Sequence, residues 1–427
     1  MMKIYDFDAV DPRDVFDRDR GNQRVNIRDT VADILSQVRE KGDAALYAYA
    51  EKFDKVKLST LEVTEEEMNK AFAAIEPALL ETLQKAEENI RNFHVNQVRS
   101  GFIVTGEKGI VMGQRVLPIE KVGIYVPGGT AAYPSTVLMN AVPAKIAGCK
   151  EIVMMTPPQS NGSVSPAILA AAKLAGVDRI FKVGGAQAVG ALAFGTESVP
   201  RVDKITGPGN AFVAEAKRQV FGRVAIDMIA GPSEILVVAD GRSNARQTAA
   251  DLLSQAEHDR MAAAVLVTDS MDFALAVQGE IEKQLAVLPR EEIARTSIEN
   301  NGKIIVVDNL RKAVEVSNEI APEHLELCMD NPFDYLDQVK NAGSVFLGRS
   351  CPEALGDYMA GPNHTLPTSG TARFYSPLSV DDFVKKTQYT YYTPEALEGY
   401  KDDIVRFARQ EGLEAHARSV LARFEEA

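Results

Sequence analysis

The chain contains five histidines, and four of them lie beyond residue 257 beside a carboxylate or an amide. They are His258 in Ser254-Gln-Ala-Glu-His-Asp259, His324 in Pro322-Glu-His-Leu325, His364 in Gly361-Pro-Asn-His-Thr365 and His416 in Glu411-Gly-Leu-Glu-Ala-His416. Imidazole is the commonest neutral metal ligand and the commonest general base near neutral pH. Grouped with Asp, Glu and Gln, these residues point to a metal site with proton-transfer chemistry.

Gln255 and His258 stand three positions apart in a helical pattern. That spacing puts both on one face, about 5–6 Å apart at Cβ, a workable bite for one metal ion. A solvated polar face is the plainer reading of the pair taken alone. Asp357 and His364 flank Gly356-Asp-Tyr-Met-Ala-Gly-Pro-Asn-His-Thr365, where Gly and Pro shape the backbone. A loop with a carboxylate and an imidazole more often serves function than packing, although a turn with a capping Asp explains it too. Glu323 and His324 open an expected strand, where both side chains can border one cleft. Such a pair can divide the work of general base and water activation; a charge pair at a strand edge is the ordinary alternative. His416 alone reads as a surface histidine on a C-terminal helix. Cys328 follows an apolar strand and reads as a buried, inert thiol, so neither it nor Cys351 is assigned catalysis.

Three glycine-bearing turns follow expected strands: Pro127-Gly-Gly-Thr130, Gly184-Gly-Ala-Gln-Ala188 and Gly207-Pro-Gly-Asn210. Turns before helix N-termini can cradle phosphate through backbone N–H groups. None has the GxGxxG or P-loop spacing, and every α/β protein needs tight turns, so they support dinucleotide binding only modestly.

The elements that must position these residues are those of an α/β protein. With 427 residues and about 150 per domain, two or three domains are expected. From Val25 to about Arg99 the pattern is helical, and Thr64-Glu-Glu-Glu67 has capping-box spacing. From about Gly109, short apolar strands alternate with helices in two successive series, the pattern of parallel βαβ units. The first series holds Val122–Val126, Ile152–Met155, Ile180–Val183 and Ile205. The second holds Glu234–Asp240, Ala263–Thr268, Ile304–Val307, Leu325–Leu327 and Ser344–Leu347. After Tyr375 the chain turns polar and then helical, in a segment too small for much of a core of its own.

Composition excludes several classes. The net charge of -13 argues against a nucleic-acid surface and against attraction to an anionic membrane. Three scattered cysteines make no disulfide framework, and a cytoplasmic setting is expected. The N-terminus has no signal-peptide pattern, and no apolar run reaches the roughly 18 residues of a membrane span.

Six ordered segments go further. Val122-Gly-Ile-Tyr-Val-Pro-Gly-Gly129, Ile205-Thr-Gly-Pro-Gly-Asn210, Ala230-Gly-Pro-Ser-Glu234, Leu253-Ser-Gln-Ala-Glu-His-Asp259, Ala321-Pro-Glu-His-Leu325 and Gly361-Pro-Asn-His-Thr-Leu-Pro-Thr-Ser-Gly370 together closely resemble the histidinol dehydrogenase family over nearly the whole chain. The resemblance implies oxidation of L-histidinol to L-histidine through L-histidinaldehyde, in two NAD-dependent steps that close histidine biosynthesis. It implies one Zn2+ per subunit on Gln255, His258, Asp357 and His416, with Glu323 and His324 as the acid/base pair. Ser233, His364 and Glu411 are implied as further substrate contacts, and Gln255, His258, His324, Asp357 and His416 also border the substrate. Tyr125, Gln187 and Asn210 are implied as NAD contacts. Ligand types alone would also admit Mn2+ or Co2+.

The implied architecture is two incomplete Rossmann-like, parallel-sheet domains in an intertwined homodimer. The expected division is an N-terminal arm at 1–21, a metal and catalytic domain from 22–113 and 237–376, an NAD-binding domain at 114–236, and a C-terminal helical segment at 377–427. That last segment would reach the partner subunit and complete its site with Glu411 and His416. The rivals are a zinc hydrolase without NAD and a metal-binding protein without turnover; both make the ordered motifs a coincidence.

Overall fold

The computed structural model describes residues 1–7, 21–128 and 132–425; in the helix that starts at Gly21, side chains are described from Ile27 onward. Two compact units emerge: Met1–Val98 with Ile119–Phe383, and Arg99–Pro118 with Val384–Ala427.

The first unit holds two parallel sheets. One runs, edge to edge, through Arg179–Lys182, Glu151–Thr156, Lys121–Tyr125, Lys204–Thr206 and Ala225–Ile226. The other runs through Lys3–Asp6, Lys303–Val306, Ala263–Thr268, Glu234–Ala239, His324–Cys328 and Ser344–Leu347. Every neighbouring pair in both is parallel. Parallel sheets need both faces covered, and the apolar residues of each strand divide between two cores. In the strand Glu234–Ala239, Ile235, Val237 and Ala239 face one core and Leu236 and Val238 the other. Both expected α/β series are therefore present.

The grouping of the helices departs from expectation. The helices between Gly21 and His94 cover the five-stranded sheet, not the six-stranded one. Val31, Ile34, Leu35 and Val38 join Val153, Phe181 and Ile205 in one core. Leu83, Ala86 and Ile90 join Val122, Ile124 and Ile152 in the core on the opposite face. Amphipathic spacing shows that a helix has a buried face but not which sheet it covers, and here the helices cover the sheet that follows them in the chain. The capping box forms as read: Glu67 N–H donates to Thr64 Oγ1 at 3.1 Å, and Thr64 N–H to Glu67 Oε2 at 2.7 Å.

The expected arm at 1–21 is part of the fold at its start, since Lys3–Asp6 pairs in register with Lys303–Val306. Residues 8–20 lie outside the described residues, as do Gly129 and Thr130 of the first glycine turn.

The second unit is built on a three-stranded antiparallel sheet in which Val111–Pro118 lies between Phe102–Thr105 and Val384–Tyr391. The C-terminal segment is thus not helical throughout. Its strand is followed by the helices Pro394–Glu398, Lys401–Gln410 and Glu414–Leu421. The polar run Val-Lys-Lys-Thr-Gln-Tyr-Thr-Tyr, 384–391, fits a strand on an antiparallel sheet, and six of its eight residues are exposed. No helix among the described residues is long and apolar enough to cross a membrane.

Candidate active site

After Lys3–Asp6, the chain returns to the six-stranded sheet at Glu234–Ala239 and adds strands on both sides of it. His324–Cys328 sits directly against Glu234–Ala239, with His324 level with Ile235. Glu323, His324, Ser233 and Glu234 therefore gather at the amino edge of two adjacent strands. The His324 ring is fixed by Nδ1, which lies 2.9 Å from the carbonyl oxygen of Glu234. A carbonyl only accepts, so Nδ1 must donate, and neutral His324 keeps its free lone pair on Nε2. That atom is buried with no hydrogen-bond partner. Burial lowers the His324 pKa, which keeps the ring neutral and able to accept a proton.

Glu323 is also buried. Its Oε2 accepts the Glu234 N–H at 2.8 Å and lies 3.6 Å from His324 Nδ1. Burial, then the nearby Glu234 carboxylate, push its pKa well above the ordinary value. A carboxylate in that environment is a stronger base than one in water. Glu323 and His324 thus lie side by side.

Gln255 lies in the last turn of the helix Ala245–Ala256, where it is 1% exposed and its Oε1 has no hydrogen-bond partner. The helix stops before His258, which sits in the following turn with its N–H donating to Gln255 O at 3.1 Å. The expected helical bite is thus a turn that still holds the two residues together, and His258 is exposed. Asp357 lies on the short helix Glu353–Tyr358. His364 Nδ1 is 3.1 Å from the Asp357 carbonyl and 3.4 Å from its carboxylate. Burial opposes ionisation of Asp357, but hydrogen bonding to His364 and the surrounding imidazoles outweigh it and hold the pKa down to about 2.

Glu353 was not singled out from the sequence. It is 1% exposed, its Oε1 has no hydrogen-bond partner, and that oxygen is 3.7 Å from His324 Nε2. Burial and then the Asp357 charge push its pKa up to about 8. Ligand atoms of His324, Glu353 and Asp357 lie within 4.8 Å of one another. The sequence carried only a spacing: Glu353 is four residues before Asp357 on one helix, hence on the same face, and nothing in it marked the burial. Buried acceptors without donors fit a cation, and an amide oxygen, imidazoles and carboxylates suit a mixed N/O shell. Cys328 is buried and its thiol pKa is pushed up, mainly by burial, which makes it a poor nucleophile.

The five-stranded sheet supplies a second edge. Its strand order reverses between Lys121–Tyr125 and Lys204–Thr206, and open α/β sheets bind ligands outside the carboxyl ends of strands at such a point. Tyr125 ends the first of these strands. Its buried hydroxyl accepts the Gly185 N–H at 3.1 Å, and burial raises its pKa to about 12. Gln187 is buried in the first turn of Gly185–Phe194. Asn210 is exposed and caps Ala211–Val220, accepting from Phe212 N–H at 3.0 Å and Val213 N–H at 3.2 Å. The helix Pro134–Ala147, which leaves this same edge, meets the segment of His364: Thr136 Oγ1 is 3.5 Å from His364 Nε2, and Asn363 Nδ2 donates to Met139 O at 2.6 Å. Glu411 and His416 are exposed residues of the second unit, at the end of Lys401–Gln410 and in Glu414–Leu421.

The histidinol dehydrogenase family model matches residues 17–424. Histidinol dehydrogenase of Clostridium acetobutylicum is 56% identical, over 95% of this chain and 94% of its own length. The chain belongs to the histidinol dehydrogenase family. The Listeria monocytogenes enzyme of that name is 55% identical over 95% of both chains. A crystal structure of histidinol dehydrogenase from Elizabethkingia anophelis superposes with a TM-score of 0.91 at 39% identity, covering 99% of this chain and 98% of its own. Membership makes the chain an oxidoreductase of histidine biosynthesis, and the hydrolase and passive metal-binder readings fall.

Proposed function

We propose that this chain oxidises L-histidinol to L-histidine in two NAD-linked steps, through L-histidinaldehyde, with one zinc per subunit. The observation that carries the reading is the His324 ring, locked through Nδ1 with a bare Nε2, beside the buried carboxyl of Glu323. In the first step His324 Nε2 takes the carbinol proton. In the second, after Nε2 has released its proton to solvent, Glu323 takes a proton from the water that adds to the aldehyde, and His324 Nε2 takes the proton of the resulting hydrate. NAD supplies the hydride acceptor, and Tyr125, Gln187 and Asn210 would hold it. Zinc would fix the substrate through its amine and imidazole nitrogens, a positioning role, and Gln255, His258, Asp357 and His416 would hold the metal. Ser233, His364 and Glu411 would orient the substrate.

The chain is further proposed to act as an intertwined homodimer in the cytoplasm. Glu411 and His416 would then complete the neighbouring subunit's site. The small core of the C-terminal helices and the scattered cysteines support these two points.

The deciding experiment is NADH yield at 340 nm from limiting L-histidinol, zinc-loaded protein and excess NAD. Two NADH per histidinol is expected. One would remove the second step and the assigned roles of Glu323 and His324 in it, and none would overturn the reading.

A further inference from the structure

Beneath the Gly207-Pro-Gly-Asn210 loop lies a buried ion pair that none of the chemistry above uses. Lys217 comes from the second turn of Ala211–Val220, and Asp227 follows the strand Ala225–Ile226. Their side chains are 3% and 1% exposed. Both grip the same residue: Gly207 N–H donates to Asp227 Oδ2 at 2.8 Å, and Lys217 Nζ donates to Gly207 O at 2.9 Å. Asp227 Oδ1 also accepts the Met228 N–H at 2.6 Å. Gly207 has φ +113°, and a Cβ there would sit 2.1 Å from the Tyr125 carbonyl oxygen. One peptide segment is thus left-handed, pressed against the adjacent strand and held at its donor and its acceptor by opposite charges.

Stability alone does not call for such a pair. Desolvating two ions largely offsets their attraction, and well-packed apolar residues of similar size often do as well. What the pair supplies is position. The residue it fixes lies at the reversal of strand order, three residues before Asn210 opens a helix whose N-terminus is the polarity a pyrophosphate needs.

We propose that Lys217 and Asp227 are positioning residues for the dinucleotide, holding the Gly207–Asn210 loop in its binding shape before NAD arrives. This rests on the reading that NAD occupies the carboxyl edge of the five-stranded sheet. A loop ordered in advance spares the ligand the cost of ordering it, so loosening the grip weakens binding even though neither residue touches NAD.

The test uses full-length, zinc-loaded Lys217→Met and Asp227→Asn. Lys217→Met/Asp227→Leu serves as a charge-free pair of similar volume, its folding checked by its melting transition. NAD affinity by calorimetry should fall roughly tenfold, the effect of one charge-assisted hydrogen bond. KM for NAD should rise in step, while KM for histidinol and zinc content stay unchanged. Amides 205–212 should exchange faster in the free variants. A merely structural pair would lower the melting temperature and leave the NAD affinity of the folded protein intact, which would overturn the proposal. The underlying reading is tested separately in the unmutated protein, where NAD should protect amides 205–212. No protection there would remove the site itself. Protection there, with unaltered affinity in the variants, would remove only the role of Lys217 and Asp227.

Discussion

His324 can serve as a base only while Nε2 is bare, and one backbone carbonyl decides that. Because Glu234 O accepts from Nδ1, the neutral ring has no choice of tautomer. Burial lowers its pKa, so protonation, which abolishes the base, sets in only below the ordinary value of about 6.5. The acid limb of kcat/KM for histidinol should therefore fall below that pH, with a plateau through neutrality. His324→Gln should lower kcat by about 10²–10⁴ and change KM much less. Glu323→Gln should separate the two steps: one NADH per histidinol, with the aldehyde trapped by a carbonyl reagent. Retention of two NADH would remove Glu323 from water activation. At this scale much was legible, because imidazole beside carboxylate is uncommon in a chain with five histidines. Glu353 was not. A glutamate on a short helix reads as an exposed acid until burial and the bare Nε2 of His324 are seen together.

The elements hold these residues through a polar layer inside the sheet. In His-Leu-Glu-Leu-Cys, 324–328, alternation sends Leu325 and Leu327 into one core and leaves His324, Glu326 and Cys328 on the other face. Glu326, fully buried, accepts the Glu353 N–H at 2.7 Å through Oε1, which ties the strand of His324 to the helix of Asp357. Burial and the adjacent Asp251 push the Glu326 pKa up to about 8, and Asp251 is raised, mainly by burial, to about 6. Glu326→Ala leaves the Glu353 N–H without an acceptor, at about 1–3 kcal/mol, and should release zinc more readily. Glu326→Gln keeps an acceptor and should be far milder. Urea denaturation and zinc retention against a chelator read the two effects, and equal behaviour of both variants would deny the link. Periodicity revealed the inner strands of both parallel sheets, but not Lys3–Asp6, Phe102–Thr105, Val111–Pro118 or Ala225–Ile226. It could not reveal that the helices from Gly21 to His94 cover the five-stranded sheet, since an apolar stripe carries no address. It also missed the strand Val384–Tyr391, because that strand pairs with Val111–Pro118, remote in sequence.

At the scale of the whole molecule, the C-terminal helices bury little among themselves. Among the described residues, Val405, Ala408 and Ala417, with Leu421 against them, form their cluster, while Phe407, Leu413 and Tyr400 are exposed. Exposed apolar side chains around so small a core call for another surface. In the proposed homodimer that surface belongs to the partner subunit, and His416 then serves a site whose other ligands come from a different chain. This makes a prediction that a self-contained site does not. His258→Ala and His416→Ala should each lose activity and zinc as homodimers. Mixed and reassociated, they form heterodimers in which one site carries both lesions and the other carries neither, so activity returns. Were each site built from a single chain, both sites of every heterodimer would stay damaged. The recovered activity should also bind zinc at one site per heterodimer, which separates true complementation from contamination by unmutated protein. No recovery, with subunit exchange confirmed by mass-tagged chains, would return His416 to the surface of its own subunit.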